Sequence, residues 1–152
     1  MTNPNYTIGL DFGTDSVRAL VVNVDTGAEM SSAVSEYKRW AKGMYCLAQK
    51  NQYRQHPKDY MEAMEAVVNA ALDQVDEAVS TGIIGIGVDT TGSTPCAVDA
   101  NGMPLALSPE FEENPNAMFQ LWKDHTAIQE ANEINEANKK SEVDYLKYVG
   151  GI

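Results

Sequence analysis

The sequence predicts an α/β fold on a mixed sheet, with an antiparallel meander, a parallel strand beside it, and flanking helices. Three observations point there. The first 40 residues read strand, turn, strand, turn, strand. A helix-periodic stretch starts at Pro57. A second near-continuous apolar run follows, Ile83-Ile84-Gly85-Ile86-Gly87-Val88, which a crossover should lay parallel to the first sheet.

Taken in order, Tyr6-Thr7-Ile8-Gly9-Leu10-Asp11 reads as a short buried strand and Phe12-Gly13-Thr14-Asp15 as a turn. Ser16 to Val24 is rich in Val and Leu and ends at Asp25-Thr26-Gly27, a hairpin signal. Ala28 to Trp40 alternates loosely, as a third strand with one exposed face would. Trp40 to His56 reads as irregular. Pro57 suits the first position of a helix, where its missing N–H has no partner to lose. Tyr60, Met64, Val67, Val68, Ala71, Leu72, Val75 and Val79 then share one helical face up to Gly82. Met61 and Met64 read as core filler. Ile83 to Asp89 has the pattern of a strand buried on both faces. Cys96 to Asp99 and Met103 to Leu107 flank Ala100-Asn101-Gly102 as another hairpin. The chain reads as loop from Pro109 to Pro115, then as a helix from Asn116 or Asp124 to about Asn138, and stops at Gly150-Gly151-Ile152 without a closing element.

Composition excludes several classes. The chain has 152 residues, 43% hydrophobic and 22% charged, ordinary values for a folded domain. No apolar run approaches the roughly 20 residues that span a bilayer, and no secretory signal opens the chain. Two cysteines, Cys46 and Cys96, are too few for a disulfide framework or a zinc cluster, so a cytoplasmic location is expected. Net charge is −11, unevenly spread. Residues 1–60 carry seven basic and six acidic groups, whereas residues 61–107 carry seven acids and no Lys or Arg. Lys38, Arg39, Lys42, Lys50, Arg54 and Lys58 follow one another with no acid between them. That stretch reads as a solvated loop offset by the acidic remainder. Nucleic acid is not the expected partner, since a basic domain surface is its usual footprint.

The chemistry gathers where the two apolar strands end. Gly9-Leu10-Asp11-Phe12-Gly13-Thr14-Asp15-Ser16 and Gly87-Val88-Asp89-Thr90-Thr91-Gly92-Ser93-Thr94 each place a carboxylate at a strand's carboxyl end, then a turn of glycine and hydroxyl residues. Parallel neighbours would bring Asp11 and Asp89 to one sheet edge, where α/β folds collect ligands. Small residues expose N–H groups to phosphate oxygens, Thr14 or Ser16 adds hydroxyls, a carboxylate can hold Mg2+ directly or through water, and Arg18 adds positive charge. A pair of ordinary turns capped by Asp11 and Asp89 fits the same residues. There is no Walker loop and no dinucleotide fingerprint. With only His56 and His125, a hydrolase triad or His-built metal centre has little support.

The run Ile8-Gly9-Leu10-Asp11-Phe12-Gly13-Thr14-Asp15-Ser16-Val17-Arg18-Ala19 resembles the first phosphate motif of the FGGY family of carbohydrate kinases. Val88 to Pro95, Glu113 to Met118 and Leu121-Trp122-Lys123-Asp124-His125 agree with it along nearly the whole chain. Asp15 departs from the wider family but suits its branch that acts on L-ribulose. The resemblance implies a ribonuclease H-like domain of the actin-like ATPase superfamily, incomplete here. Residues 1–152 are then expected to be the N-terminal part of the first domain, with the rest of the kinase absent.

The resemblance further implies ATP-dependent phosphorylation of the terminal hydroxyl of L-ribulose in arabinose breakdown. Asp11 would organise Mg2+, while Gly13, Thr14, Asp15 and Ser16 would form the ATP-facing loop and Arg18 would stabilise phosphate charge. Gly92, Ser93 and Thr94 would line the sugar side, Trp122 would pack on the sugar, and Lys123 and Asp124 would bond its hydroxyls. Trp122 reads equally as a partly buried core aromatic, and Lys123 with Asp124 as a surface pair. His125 has no assigned role. The catalytic base is expected beyond residue 152, so this chain would not catalyse alone. Its implied partners are the sugar and the remainder of the kinase, with homodimerisation left open. The rival readings are a non-kinase ATPase of the actin superfamily, a kinase for another pentulose, and an interaction module using the basic segment 38–58.

Overall fold

Tyr6, Ile8, Leu10 and Phe12 alternate with Thr7, Gly9 and Asp11, and that period of two decides which side of the first strand meets the core. The computed structural model describes residues 4–149. In it, β1 (Tyr6–Phe12) buries the apolar set, and β2 (Ser16–Asn23) buries Val17, Ala19 and Val21 on the same face. The two strands are antiparallel, with Leu10 opposite Ala19 and Asp11 opposite Arg18. β3 (Glu29–Glu36) continues the meander.

The third strand stops before Trp40, where the sequence pattern carried it. Buried Asp59 accepts the amide protons of Arg39 and Trp40 at 3.0–3.1 Å, bending the chain into α1 (Lys38–Ala41). The segment expected to be irregular carries β4 (Cys46–Leu47) and β5 (Gln52–Gln55), and β5 enters a second, three-stranded sheet. α2 (Pro57–Leu72) starts as its proline suggests, capped by His56, whose Nδ1 accepts from the Lys58 amide at 3.0 Å. Ala63, Val67 and Ala71 face the sheet and are almost fully buried.

Two expectations about this region are corrected. The helix does not run to Val79: the Asp76 carboxylate takes the Val79 amide and starts a separate α3 (Glu77–Thr81), which Gly82 ends. A side chain at Gly82 would lie 2.9 Å from the Tyr6 ring and 3.0 Å from the Pro4 carbonyl, so the close approach demands glycine. Met61 and Met64 are not core filler but 54% and 40% exposed, because the Ala63–Val67–Ala71 face takes the contact with the sheet.

β6 (Ile83–Thr90) crosses over to lie parallel to β1, as expected, giving the order β3-β2-β1-β6. It is not buried on both faces: Ile84, Ile86 and Val88 are 66%, 59% and 63% exposed. It is the sheet's edge among the described residues, and α2 packs over β2 and β3 instead. The following hairpin shrinks to a bridge between Val98 and Pro104, around Asp99, which accepts the Asn101 and Met103 amides. Ala106, Ala117 and Met118 form a second small core. β7 (Phe119–Gln120) then pairs with β5. The late helix begins further on than expected, as α4 (Ile128–Lys139), with none of its residues buried. A last turn, α5 (Leu146–Val149), ends the described chain. Gly150, Gly151 and Ile152, on which the unclosed C-terminus was read, lie outside the described residues. Among the described residues no helix is long and apolar enough to cross a membrane.

Candidate active site

The side of the sheet away from α2 carries the charged residues. Asp11 projects there from β1, with Arg18 opposite it on β2 and Asp89 opposite it on β6. Arg18 Nη1 lies 3.5 Å from Asp11 Oδ2, and both side chains are more than half exposed, so the pair adds little stability and stays available to ligand. Gly9 and Gly87 have open space where a side chain would stand. The result is a depression of about 490 Å3 floored by Gly9, Leu10, Gly87 and Val88 and edged by Asp11, Arg18 and Asp89. Among the described residues no three His, Cys, Asp or Glu side chains gather to hold a metal alone. Mg2+ needs no such cage, because it keeps waters and is commonly held by one or two carboxylates plus phosphate oxygens. Asp11 and Asp89 fit that donor set.

The loop between β1 and β2 is held from three directions. Gly13 N–H donates to the Ser16 carbonyl at 2.9 Å and closes the turn. Gln55, 1% exposed at the end of β5, donates from Nε2 to the Thr14 carbonyl at 2.6 Å, and its Oε1 accepts from the Tyr60 hydroxyl at 2.6 Å. Trp122 Nε1 lies 3.5 Å from Thr14 Oγ1. Trp40 Nε1 donates to Asp15 Oδ1 at 2.7 Å, and the Tyr37 amide donates to the Asp15 carbonyl at 3.0 Å.

The sugar-side residues of the sequence reading divide. Ser93 sits in the left-handed region at φ 53°, between Gly92 and Thr94, and Thr94 Oγ1 donates to the Gly92 carbonyl at 3.2 Å. Thr94 also edges a cavity of about 270 Å3 with Phe12, Tyr60, Thr90 and Phe119. Trp122 is 56% exposed, hence not a core aromatic. The Lys123 ammonium lies 4.9 Å from the Trp40 ring centroid and 4.6 Å from that of Tyr53, a double cation–π contact. Asp124 is no surface group: its side chain and that of Arg54 are each 4% exposed, and Nε reaches Oδ2 at 2.7 Å. Its oxygens also accept from the Tyr53 amide and the Thr126 hydroxyl, both at 2.7 Å. Burial pushes the Asp124 carboxyl up, but the hydrogen bonds from Arg54, Thr126 and Tyr53 outweigh it and hold it below the ordinary range.

Trp40, Arg54 and Gln55 were absent from the candidate residues. Trp40 lay at the end of a presumed strand and Arg54 in the basic stretch, and only a partner distant in sequence marks either one. That stretch is not a free basic loop. Arg39 pairs with Asp59 and Glu62, Arg54 with Asp124, and Lys58 with Glu112. Three of its six charges are thus paired within the chain, which halves the charge on which the interaction-module reading relies.

The sheet order β3-β2-β1-β6, with glycine- and hydroxyl-containing turns at the carboxyl ends of parallel β1 and β6, defines a mixed α/β domain with its candidate site at one sheet edge. The profile of the FGGY family of carbohydrate kinases, N-terminal domain, matches residues 6–148, and the chain belongs to that family. It is 54% identical over 99% of its length to a ribulokinase of Vibrio parahaemolyticus, and 37% identical over 97% to a ribulokinase of Halalkalibacterium halodurans. In each case it spans 27% of the relative's length. Among solved structures, it resembles a gluconate kinase from Lactobacillus acidophilus (TM-score 0.67, 15% identity, 89% of this chain and 23% of that one). A xylulose kinase from the same organism matches with TM-score 0.67 and 15% identity, over 88% of this chain and 23% of that one. At that identity the likeness establishes the fold.

Proposed function

We propose that residues 1–152 are the N-terminal part of the first domain of a cytoplasmic ribulokinase, which transfers the γ-phosphoryl group of ATP to the terminal hydroxyl of L-ribulose. The observation that carries this reading is the alignment of essentially the whole chain, at 54% identity, with a protein named ribulokinase. The geometry supports it. Phosphoryl transfer depends mainly on positioning and on stabilising charge, and the depression at Asp11, Arg18 and Asp89 supplies both. Mg2+ bound there would neutralise phosphate charge, with Asp11 as its protein ligand, directly or through water. The loop after Gly13 brings the Thr14 and Ser16 hydroxyls to the γ-phosphate, its turn closed by the Gly13 amide on the Ser16 carbonyl. Arg18, whose exposed side chain makes only a 3.5 Å contact with Asp11, can turn onto charge that develops in transfer. Gly92, Ser93, Thr94, Trp122 and Lys123 form the sugar side, and Asp124, occupied by Arg54, fixes the segment that presents Trp122 and Lys123.

The test is ATP-dependent phosphorylation of L-ribulose by the full-length protein that carries this segment, followed by ADP release. Arg18→Ala is expected to lower kcat by about 100-fold, the usual loss for one charge-stabilising donor. Turnover of a different pentulose with none of L-ribulose would replace the substrate assignment. Turnover by the isolated 152-residue chain would refute the expectation that the catalytic base lies elsewhere.

A further inference from the structure

The phosphate loop carries an acid, Asp15, next to the place where the proposed reaction puts its most negative ligand. A free carboxylate there would repel ATP. The structure shows where that charge goes. Trp40 Nε1 donates to Asp15 Oδ1 at 2.7 Å, and Trp40 comes from α1, on the side of the sheet that packs against α2. Asp11, Arg18 and Asp89 stand on the opposite side, set there by the strand period.

The indole is held in turn. Its backbone amide donates to Asp59 Oδ2 at 3.0 Å, and the Asp59 side chain is fully buried. Its ring packs against the main core, and the Lys123 ammonium lies 4.9 Å from its centroid. The Tyr37 amide, three residues earlier, holds the Asp15 carbonyl at 3.0 Å. The loop's acid is therefore tied by side chain and backbone to α1.

We infer that Trp40 is a positioning residue for ATP binding: its indole N–H draws the Asp15 carboxylate toward α1 and keeps that charge off the phosphate face. This inference rests on the kinase reading above.

The test uses the full-length kinase and two readouts, the dissociation constant of ATP by calorimetry and the KM for ATP with L-ribulose as acceptor. Trp40→Phe keeps an aromatic ring in the core and under Lys123 but removes the N–H. It is expected to weaken ATP binding and raise KM roughly 3- to 10-fold, the effect of a like charge several ångströms from a polyphosphate in a solvated site. KM should rise by more than kcat falls. Adding Asp15→Asn to Trp40→Phe should restore both constants, because asparagine brings no charge. A purely packing role for Trp40 would give no such rescue. Unchanged ATP affinity in Trp40→Phe, or a loss that Asp15→Asn does not reverse, overturns the inference. If circular dichroism shows that Trp40→Phe fails to fold, the same comparison is made between Trp40→Met and Trp40→Met/Asp15→Asn, since methionine fills apolar space without a donor. A wild-type protein that binds ATP but does not phosphorylate L-ribulose refutes the substrate assignment, and ATP affinity still reads the clamp. A wild-type protein that binds no ATP overturns both.

Discussion

Replacing Asp124 with alanine removes one half of the Arg54–Asp124 pair and leaves a guanidinium, 4% exposed, facing no carboxylate. Three contacts at 2.7 Å disappear together, from Arg54 Nε, the Tyr53 amide and the Thr126 hydroxyl. Breaking a buried pair from one side costs about 3–5 kcal/mol, because the stranded charge keeps its desolvation penalty. Arg54 Nη1 still reaches the Pro115 carbonyl and Asn116 Oδ1 at 3.3 Å, which places the expected loss near the lower end, about 3 kcal/mol. A domain is stable by only about 5–15 kcal/mol in all. Equilibrium urea unfolding of the chain, followed by near-ultraviolet circular dichroism, should show the midpoint falling with little change in slope. Arg54→Met combined with Asp124→Leu should recover much of the loss, since an apolar pair leaves no buried charge. A loss below about 1 kcal/mol for Asp124→Ala, the range of exposed pairs, or a double variant no better than the single, would refute the reasoning. The pH dependence has a definite sign. Asp124 is held below its ordinary value of 3.8, so its contribution is fully present above that value and is lost as pH falls through the lower, folded one.

Three further outcomes follow from the same geometry. Asp59→Ala removes the acceptor of the Arg39 and Trp40 amides and of Arg39 Nη1; it should cost about 3 kcal/mol and red-shift Trp40 emission as α1 detaches. His56 is held below its ordinary value by burial first and Arg39 second, and its Nδ1 must be unprotonated to cap α2. Stability should therefore decline as pH falls below 6.5, where the unfolded chain takes up the proton first, and His56→Asn, which preserves a cap, should flatten that decline in urea titrations at pH 5–7. Val67→Ala opens a cavity at a fully buried position under β2 and β3; chemical unfolding should register a loss of about 1–3 kcal/mol.

Much of the sheet was readable from local pattern. The apolar run Tyr6 to Asp11 marked the first strand, Asp25-Thr26-Gly27 set the hairpin, and a helix between two apolar strands implied the parallel crossover that brings Asp89 beside Asp11. The strand ends stood out as a candidate site for the same reason, since glycine and hydroxyl turns after a buried strand are a local signature. The short second sheet was not legible. β4, β5 and β7 span two to four residues each, too few to show a period. The length of β6 was legible but its burial was not, because an apolar run records what a strand can pack against, while its neighbours decide what covers it.

By itself, then, the sequence determined the first strands, the turns between them, the start of α2 and the motif that marks an FGGY-family domain. These depend on backbone preferences and on side chains a few residues apart. Tertiary structure alone decided that Asp124 faces Arg54, 70 residues earlier, that Trp40 takes the carboxylate of Asp15, and that Lys123 rests between Trp40 and Tyr53. An isolated Asp, Lys or Trp carries no local mark of its partner. The partner is set by where the chain returns, and burial then makes each unpaired alternative costly.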